Sequence, residues 1–433
     1  MTTDRAIHGT TTLDNHAVAE LTARLRGQLL RPGDDGYDAA RQVWNAMIDR
    51  HPALIARCAG AGDVRTALAF AREHGLPLAV RGGGHNVAGK AACDDGLMID
   101  LAAHAHGLAT TGGVVGTTGI AGLTLGGGQG WLTGKFGLTL DNLISAEVVL
   151  ADGSFVTASA DEHPDLFWAL RGAGANFGIV TAFEYRLHPV GTVLGGMVVH
   201  PLDRAPEVLR FYRDFAAAQP DELTTYAGLL TTPDGAPVVA LVTCYAGPLD
   251  AGERALAPLR RFGAPLADTI APIPYPAMQA IMGGAFPYGR QNYWKAGLTG
   301  TINDDLIAAL VEKFACVPSP FTVIAIADCH GAYARVGESE TAYAHRDLQW
   351  DVNILGNWAD PADNERNVRW TRACHDALAP HLAHGVYVND LGDEGGQRVR
   401  DAYGANYPRL AALKAKYDPD NVFRLNQNIA PAG

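Results

Sequence analysis

Residues 78–86 read LAVRGGGHN, and residues 107–137 read GLATTGGVVGTTGIAGLTLGGGQGWLTGKFG. The first stretch is a short apolar run that ends in a glycine loop, Arg81-Gly82-Gly83-Gly84-His85-Asn86. The second is the densest glycine region of a chain with 50 glycines in 433 residues. So many glycines do not serve helix or strand interiors, where each costs about 0.5–1 kcal/mol against alanine. They suit a backbone that turns sharply and approaches a ligand closely. A glycine loop after a strand presents backbone N–H groups, which suit a pyrophosphate. Two such loops in one half of a chain can grip both ends of a long dinucleotide.

Reading outward, residues 16–30 carry Ala17, Leu21, Leu25 and Leu29 at helical spacing. Residues 53–58 form a short apolar run that suits a strand. A helix then starts at Gly62-Asp63 and stops near Glu73, where Gly75 and Pro77 end it. With the strand at 78–80 this makes a β-α-β run. Past the second loop come a strand at 145–150, a turn at Asp152-Gly153, a strand at 154–158, a helix in DEHPDLFWALRGAG and an alternating strand in NFGIVTAFEYRLHPV. From about residue 195 the texture changes. Strands at 238–245 and 322–327 alternate with helices at 204–218 and 304–313, as in an antiparallel sheet with helices on one side. The tail holds a helix that ends near Lys416 and Tyr417.

The length of 433 residues is too great for one ordinary core, so two domains are expected, one split by the other. The net charge of -12 argues against DNA or RNA as a general partner and against an anionic membrane surface. No signal-peptide core opens the chain, and no segment reaches the roughly 18 apolar residues of a spanning helix. The six cysteines form no Cys-x-x-Cys pair and read as isolated thiols of a cytoplasmic protein. His104 and His106, and His381 and His384, lack a third ligand at metal spacing, so no metal site is expected. Gly172-Ala-Gly174-Ala-Asn176-Phe-Gly178 imitates a dinucleotide fingerprint but follows a helix and opens a strand, the reverse of what a Rossmann loop needs. Gly134-Lys135 is followed by Phe136, so a P-loop has no hydroxyl for magnesium.

Four stretches carry a resemblance: RGGGHNVAGKAACDDGLMIDL, the glycine region through Asn142 and Leu143, DEHPDLFWALRGAGANFGIVTAFEYRLHP, and YVNDLGDEGGQRVRDAYGANYPRLAALKAKYDPDNVFRLNQNI. The chain resembles the berberine-bridge-enzyme-like FAD-linked oxidases, of the PCMH-type FAD-binding, vanillyl-alcohol-oxidase fold. The resemblance implies an α+β protein with a discontinuous FAD domain, residues 1–190 and 385–433, and an inserted antiparallel-sheet substrate domain, residues 191–384. It implies FAD joined through its 8α-methyl to His85. It places Arg81, Gly82, Gly83, Gly84, His85, Asn86, Thr117, Gly119 and Gly122 around the pyrophosphate. Asp141, Asn142, Gly178 and Val180 continue the cofactor contacts, with Asn426 and Asn428 near the flavin ring. Where several members bond a cysteine to the flavin this chain has Val115, so a single bond is expected. Thr118 stands at the position that governs oxygen access.

The reaction implied is hydride transfer from a small alcohol, amine or secondary metabolite to flavin N5, with electrons passing to O2 or another acceptor. The proton needs a base. Arg335 stands where some relatives have a Glu base. Sugar-oxidising relatives end a Tyr-x-Asn-Tyr run on a tyrosine base; here the run is Tyr387-Val388-Asn389-Asp390. Asp390 is the candidate base if burial raises its pKa, with Tyr387 beside it. Tyr293 and Lys295 of NYWK are expected on the substrate face. One departure stands out. After Leu101 only Ala102-Ala103-His104-Ala105 precede HGLATTGG, where the family has two strands and most of a helix, roughly 25–30 residues. That loss makes a non-catalytic FAD-binding scaffold the rival reading.

Overall fold

The structure, a computed structural model, describes residues 13–100 and 109–433. The expectations for residues 1–8, for His104 and His106, and for the junction after Leu101 lie outside the described residues. Among the described residues the strands form three sheets. The first holds β1 (Gln28–Leu30), β2 (Leu54–Arg57), β3 (Leu78–Arg81) and β4 (Leu97–Asp100), in the order β1-β2-β4-β3. β4 lies parallel to β2 and to β3. The helix Ala61–Glu73 links β2 to β3 and buries Val64, Ala67, Leu68 and Ala71, one stripe at 3.6-residue spacing.

The helix expected over 16–30 stops at Arg24, and Gln28–Leu30 forms the edge strand β1, antiparallel to β2. Tertiary contacts override the apolar spacing. The buried Asp63 carboxylate accepts hydrogen bonds from the backbone N–H of Arg26, Gly27 and Ala59 at 2.8–2.9 Å. A Cβ on Gly27 would stand 1.9 Å from the Arg57 carbonyl oxygen, so only glycine lets the chain pass there.

The second sheet is β5 (Leu143–Val149), β6 (Phe155–Ser159) and β7 (Ile179–Tyr185), antiparallel in the order β6-β5-β7. The helix Pro164–Leu170 precedes β7, so the Gly172–Gly178 stretch does lie between a helix and a strand.

The third sheet has eight antiparallel strands: β8 (Thr192–Pro201), β9 (Leu223–Thr231), β10 (Pro237–Tyr245), β11 (Ala267–Asp268), β12 (Ala271–Pro274), β13 (Gln291–Thr299), β14 (Val323–Asp328) and β15 (Trp350–Trp358). Its order is β11-β8-β10-β9-β14-β15-β13, with β12 also on β8. The helices Ala205–Ala216, Asp304–Phe314 and Asn364–Leu378 pack one face, through Leu209, Tyr212, Leu310, Phe314 and Cys374. On the other face the short helix Tyr275–Ala280 packs Met278 against Val193, Val242 and Cys244, and the rest of that face builds the site.

Candidate active site

A cleft of about 440 Å³ lies between the two glycine loops, the C-terminal return segment and the open face of the eight-stranded sheet. Its floor is tight. A Cβ on Gly83 would stand 2.5 Å from the Gly119 Cα, and one on Gly119 would stand 2.3 Å from the Gly83 nitrogen. The two loops therefore touch backbone to backbone. Gly84, at φ +66°, turns the chain so that His85 faces the cleft.

The His85 ring stacks on Trp44, centroids 4.3 Å apart and 18° from parallel. Its Nε2 is buried and meets no hydrogen-bond partner among the described residues. Burial lowers the imidazole pKa to about 4, so the ring is neutral at pH 7 and a nitrogen lone pair is free.

Of the expected site residues, Gly82, Gly83, Gly84, His85, Asn86, Gly119, Gly122, Asn426, Tyr387 and Asp390 line the cleft. Val115 and Thr118 line it too. Others do not reach it. Arg81 turns to Asp100, bonding its carboxylate at 2.8 and 3.2 Å, as an ion pair across paired strand ends. Thr117 lies exposed on the outer side of its loop. Asp141 is engaged by Arg346 at 2.7 and 2.9 Å, and the Asn142 amide donates to the Phe136 and Leu138 carbonyls. Val180 lies in β7 and Gly178 immediately before it, where a Cβ on Gly178 would meet Val148 at 2.4 Å. Asn428 holds a buried Oδ1 without a partner among the described residues, outside the cleft lining.

The expectation for Tyr293 and Lys295 is corrected. On β13 it is Trp294 that faces the cleft, and side chains alternate across a strand. Tyr293 accepts a hydrogen bond from Arg372 at 3.0 Å, and Lys295 pairs with Glu394 at 2.5 Å, both turned the other way.

Alternation also sets the sheet's open face. Gly228, Ala325 and Asn353 lie opposite one another on β9, β14 and β15, and Tyr226, Ala327 and Asp351 form the next row. Asp351 is fully buried, and its Oδ2 accepts from Gln129 at 3.1 Å. Asp390, on the turn Val388–Asp390, brings its carboxyl against that of Asp351, and the Asn353 amide reaches both. Two ionised carboxylates are acceptors only and cannot bond each other. A hydrogen bond between them needs one shared proton. Burial, with the Asp351 charge next in weight, pushes Asp390 well above the ordinary carboxylate range. Burial pushes Asp351 up to about 6.

Tyr387 has another task. Its hydroxyl oxygen accepts from the Gly128 N–H and from the Asn389 amide, each at 2.7 Å. Burial, with the Asp390 charge, raises its phenol above the usual tyrosine range, so it stays protonated. It fastens the second glycine loop to the return segment.

Sequence reasoning missed Asp351, Asn353, Gln129 and Trp44. The first two had a signal. In Trp350-Asp351-Val352-Asn353-Ile354 the polar residues occupy every second place of an apolar strand, the mark of a buried polar row.

The comparisons with known proteins agree with this geometry. Residues 386–430 match the family described as berberine and berberine like, and residues 52–109 match the FAD binding domain. The (R)-6-hydroxynicotine oxidase of Paenarthrobacter nicotinovorans is 30% identical over 452 aligned positions, covering 94% of this chain and 98% of that protein. Those 452 positions exceed the 433 residues here, so the relative carries residues this chain lacks. An uncharacterized FAD-linked oxidoreductase of Bacillus subtilis is 29% identical, with 94% and 98% coverage. The crystal structure of 6-hydroxy-D-nicotine oxidase from Arthrobacter nicotinovorans superposes with a TM-score of 0.86 at 30% identity, covering 94% of this chain and 98% of that one.

Proposed function

The chain belongs to the berberine-bridge-enzyme-like family of FAD-dependent oxidoreductases, and from that premise we propose that His85 carries the FAD covalently and that the Asp390–Asp351 pair is the base for oxidising a small alcohol or amine. The residues fit the cofactor. The Gly83–Gly119 contact has no room for a side chain, so the two loops meet backbone to backbone beside the cleft, where their N–H groups would suit a pyrophosphate. The observation that carries the covalent reading is His85 Nε2, a neutral ring nitrogen buried in the cleft without a partner among the described residues. Val115 has no thiol, so a second bond through sulfur has no donor at that position.

When bound, FAD supplies the acceptor for the substrate's hydride and hands the electrons on, to O2 in this reading. The protein's own residues manage the proton. Asp390 lines the cleft and takes the proton from the substrate oxygen or nitrogen. The proton that Asp390 held passes to Asp351. Asn353 and Gln129 keep the two carboxyls oriented through the exchange. Leu230, Val323, Ala325 and Leu355 make the rest of the sheet wall apolar. A polyhydroxylated sugar would leave hydroxyls unpaired there, at about 1–3 kcal/mol each. An apolar body with one reacting group fits better.

The test is acid precipitation of the wild type beside His85→Ala. The wild-type pellet should be yellow and the mutant pellet colourless, with flavin in the supernatant. Yellow in the wild-type supernatant alone would keep the flavoenzyme and discard the bond. Bleaching by substrate without oxygen then separates catalysis from bare cofactor binding.

A further inference from the structure

Trp44 belongs to none of the motifs that carry the family resemblance, yet it is fully buried and touches the one side chain on which the covalent reading turns. We propose that Trp44 is a positioning residue for flavin attachment, holding the His85 imidazole at one angle with Nε2 aimed along the cleft. The inference rests on His85 being the attachment site.

The geometry is over-determined. The indole covers one face of the imidazole at 4.3 Å. Trp294 meets the same indole edge-on at 5.3 Å and also lines the cleft. The indole is itself fixed. Its backbone N–H donates to the Gly84 carbonyl at 3.0 Å, one residue before the histidine, and its Nε1 donates to the Phe286 carbonyl at 3.3 Å. Next to it, the Asn45 amide donates to the carbonyls of Val87 and Asn292 at 2.8 and 2.9 Å. Residues 44 and 45 thus bracket the loop 84–87 and tie it to β13. The stacked face also withholds water from the ring, in keeping with its neutral state.

Attachment joins Nε2 to the 8α carbon. The bond displaces a hydrogen from the methyl group and one from the imidazole. Both end, with the two electrons, on the flavin ring, which O2 then reoxidises to give hydrogen peroxide. The step needs a ring lone pair aligned on that carbon, and misalignment slows such steps steeply. A stacked aromatic pair is lost when Trp44 becomes leucine, and phenylalanine keeps it.

The experiment incubates the purified full chain with FAD and takes samples into acid over time. Pellet fluorescence reports covalent flavin; total flavin before acid reports binding. Trp44→Leu should slow attachment roughly three- to tenfold at unchanged total FAD, and Trp44→Phe should restore most of the rate. Attachment by Trp44→Leu at the wild-type rate would overturn the proposal. Equal loss of total FAD in both variants would overturn it too, because the indole would then serve the fold and not the histidine. A wild type that binds FAD but leaves it all in the supernatant would instead sink the covalent reading itself.

Discussion

Asp390→Asn lowers kcat by roughly 10²–10⁴-fold, the span of a lost general base, with covalent flavin content unchanged. The asparagine keeps the shape of the side chain and removes the site that accepts the proton. The companion change, Asp351→Asn, separates a shared proton from a merely polar pocket. In the wild type the pair carries one negative charge near neutrality, because Asp351 titrates at about 6 and Asp390 well above the usual range. Below about pH 6 a second proton binds and the pair can accept no other. The rate kcat/KM should therefore fall as pH drops through that value. In Asp351→Asn the like charge beside Asp390 is gone and one titration replaces two: the Asp390 pKa falls from its paired value while burial still holds it up, and the acid limb, now set by Asp390 alone, leaves the wild-type position. Stopped-flow flavin reduction from pH 5 to 9 would show it. An acid limb that stays in place would mean that the two carboxyls do not share a proton.

Lys414→Met destabilises the protein by about 3–5 kcal/mol, since it strands a buried carboxylate. Lys414 and Asp418 are both fully buried and 2.7 Å apart. Burial lowers the lysine pKa, and the Asp418 carboxylate opposes that fall. The ammonium group is saturated: it donates to Asp418, to the Asn176 carbonyl at 2.7 Å and to the Phe423 carbonyl at 3.0 Å. Asp418 in turn accepts the N–H of Val422 and of Phe423 at 2.8 and 2.9 Å. One ion pair therefore anchors the turn that carries Asn426 and Gln427 into the cleft, and the Asn176 loop opposite. The measurement is thermal unfolding followed by circular dichroism and by flavin fluorescence. Lys414→Met/Asp418→Asn should recover part of the loss, because it removes the stranded charge. If the single and double variants melt alike, the buried charge is not what destabilises the single one.

Much of the site was legible along the chain. Glycine where no Cβ fits is a local signal, and Gly83, Gly119 and the loop before His85 stand where the sequence points. Elements built on local spacing, such as the helices Ala61–Glu73 and Asp304–Phe314, also form within a residue or two of their expected ends. A negative charge of -12 and the absence of a phosphate-binding lysine loop narrowed the ligand class before any fold was drawn.

What the sequence left open was which face each strand turns to the cleft and which distant groups meet there. Tyr293 and Lys295 were set on the wrong side because the period of two carries no phase until the neighbouring layer is known. The pairing of Asp351 with Asp390 joins residues 39 apart in sequence, and the stacking of Trp44 on His85 joins residues 41 apart; no local pattern encodes either. The edge strand at Gln28–Leu30 replaced the end of a helix for the same reason: Asp63 and the Arg57 backbone, both far along the chain, decided it. Local backbone sterics are written residue by residue. Side-chain direction, burial and charge coupling depend on what packs from across the fold, and only the tertiary structure determines those.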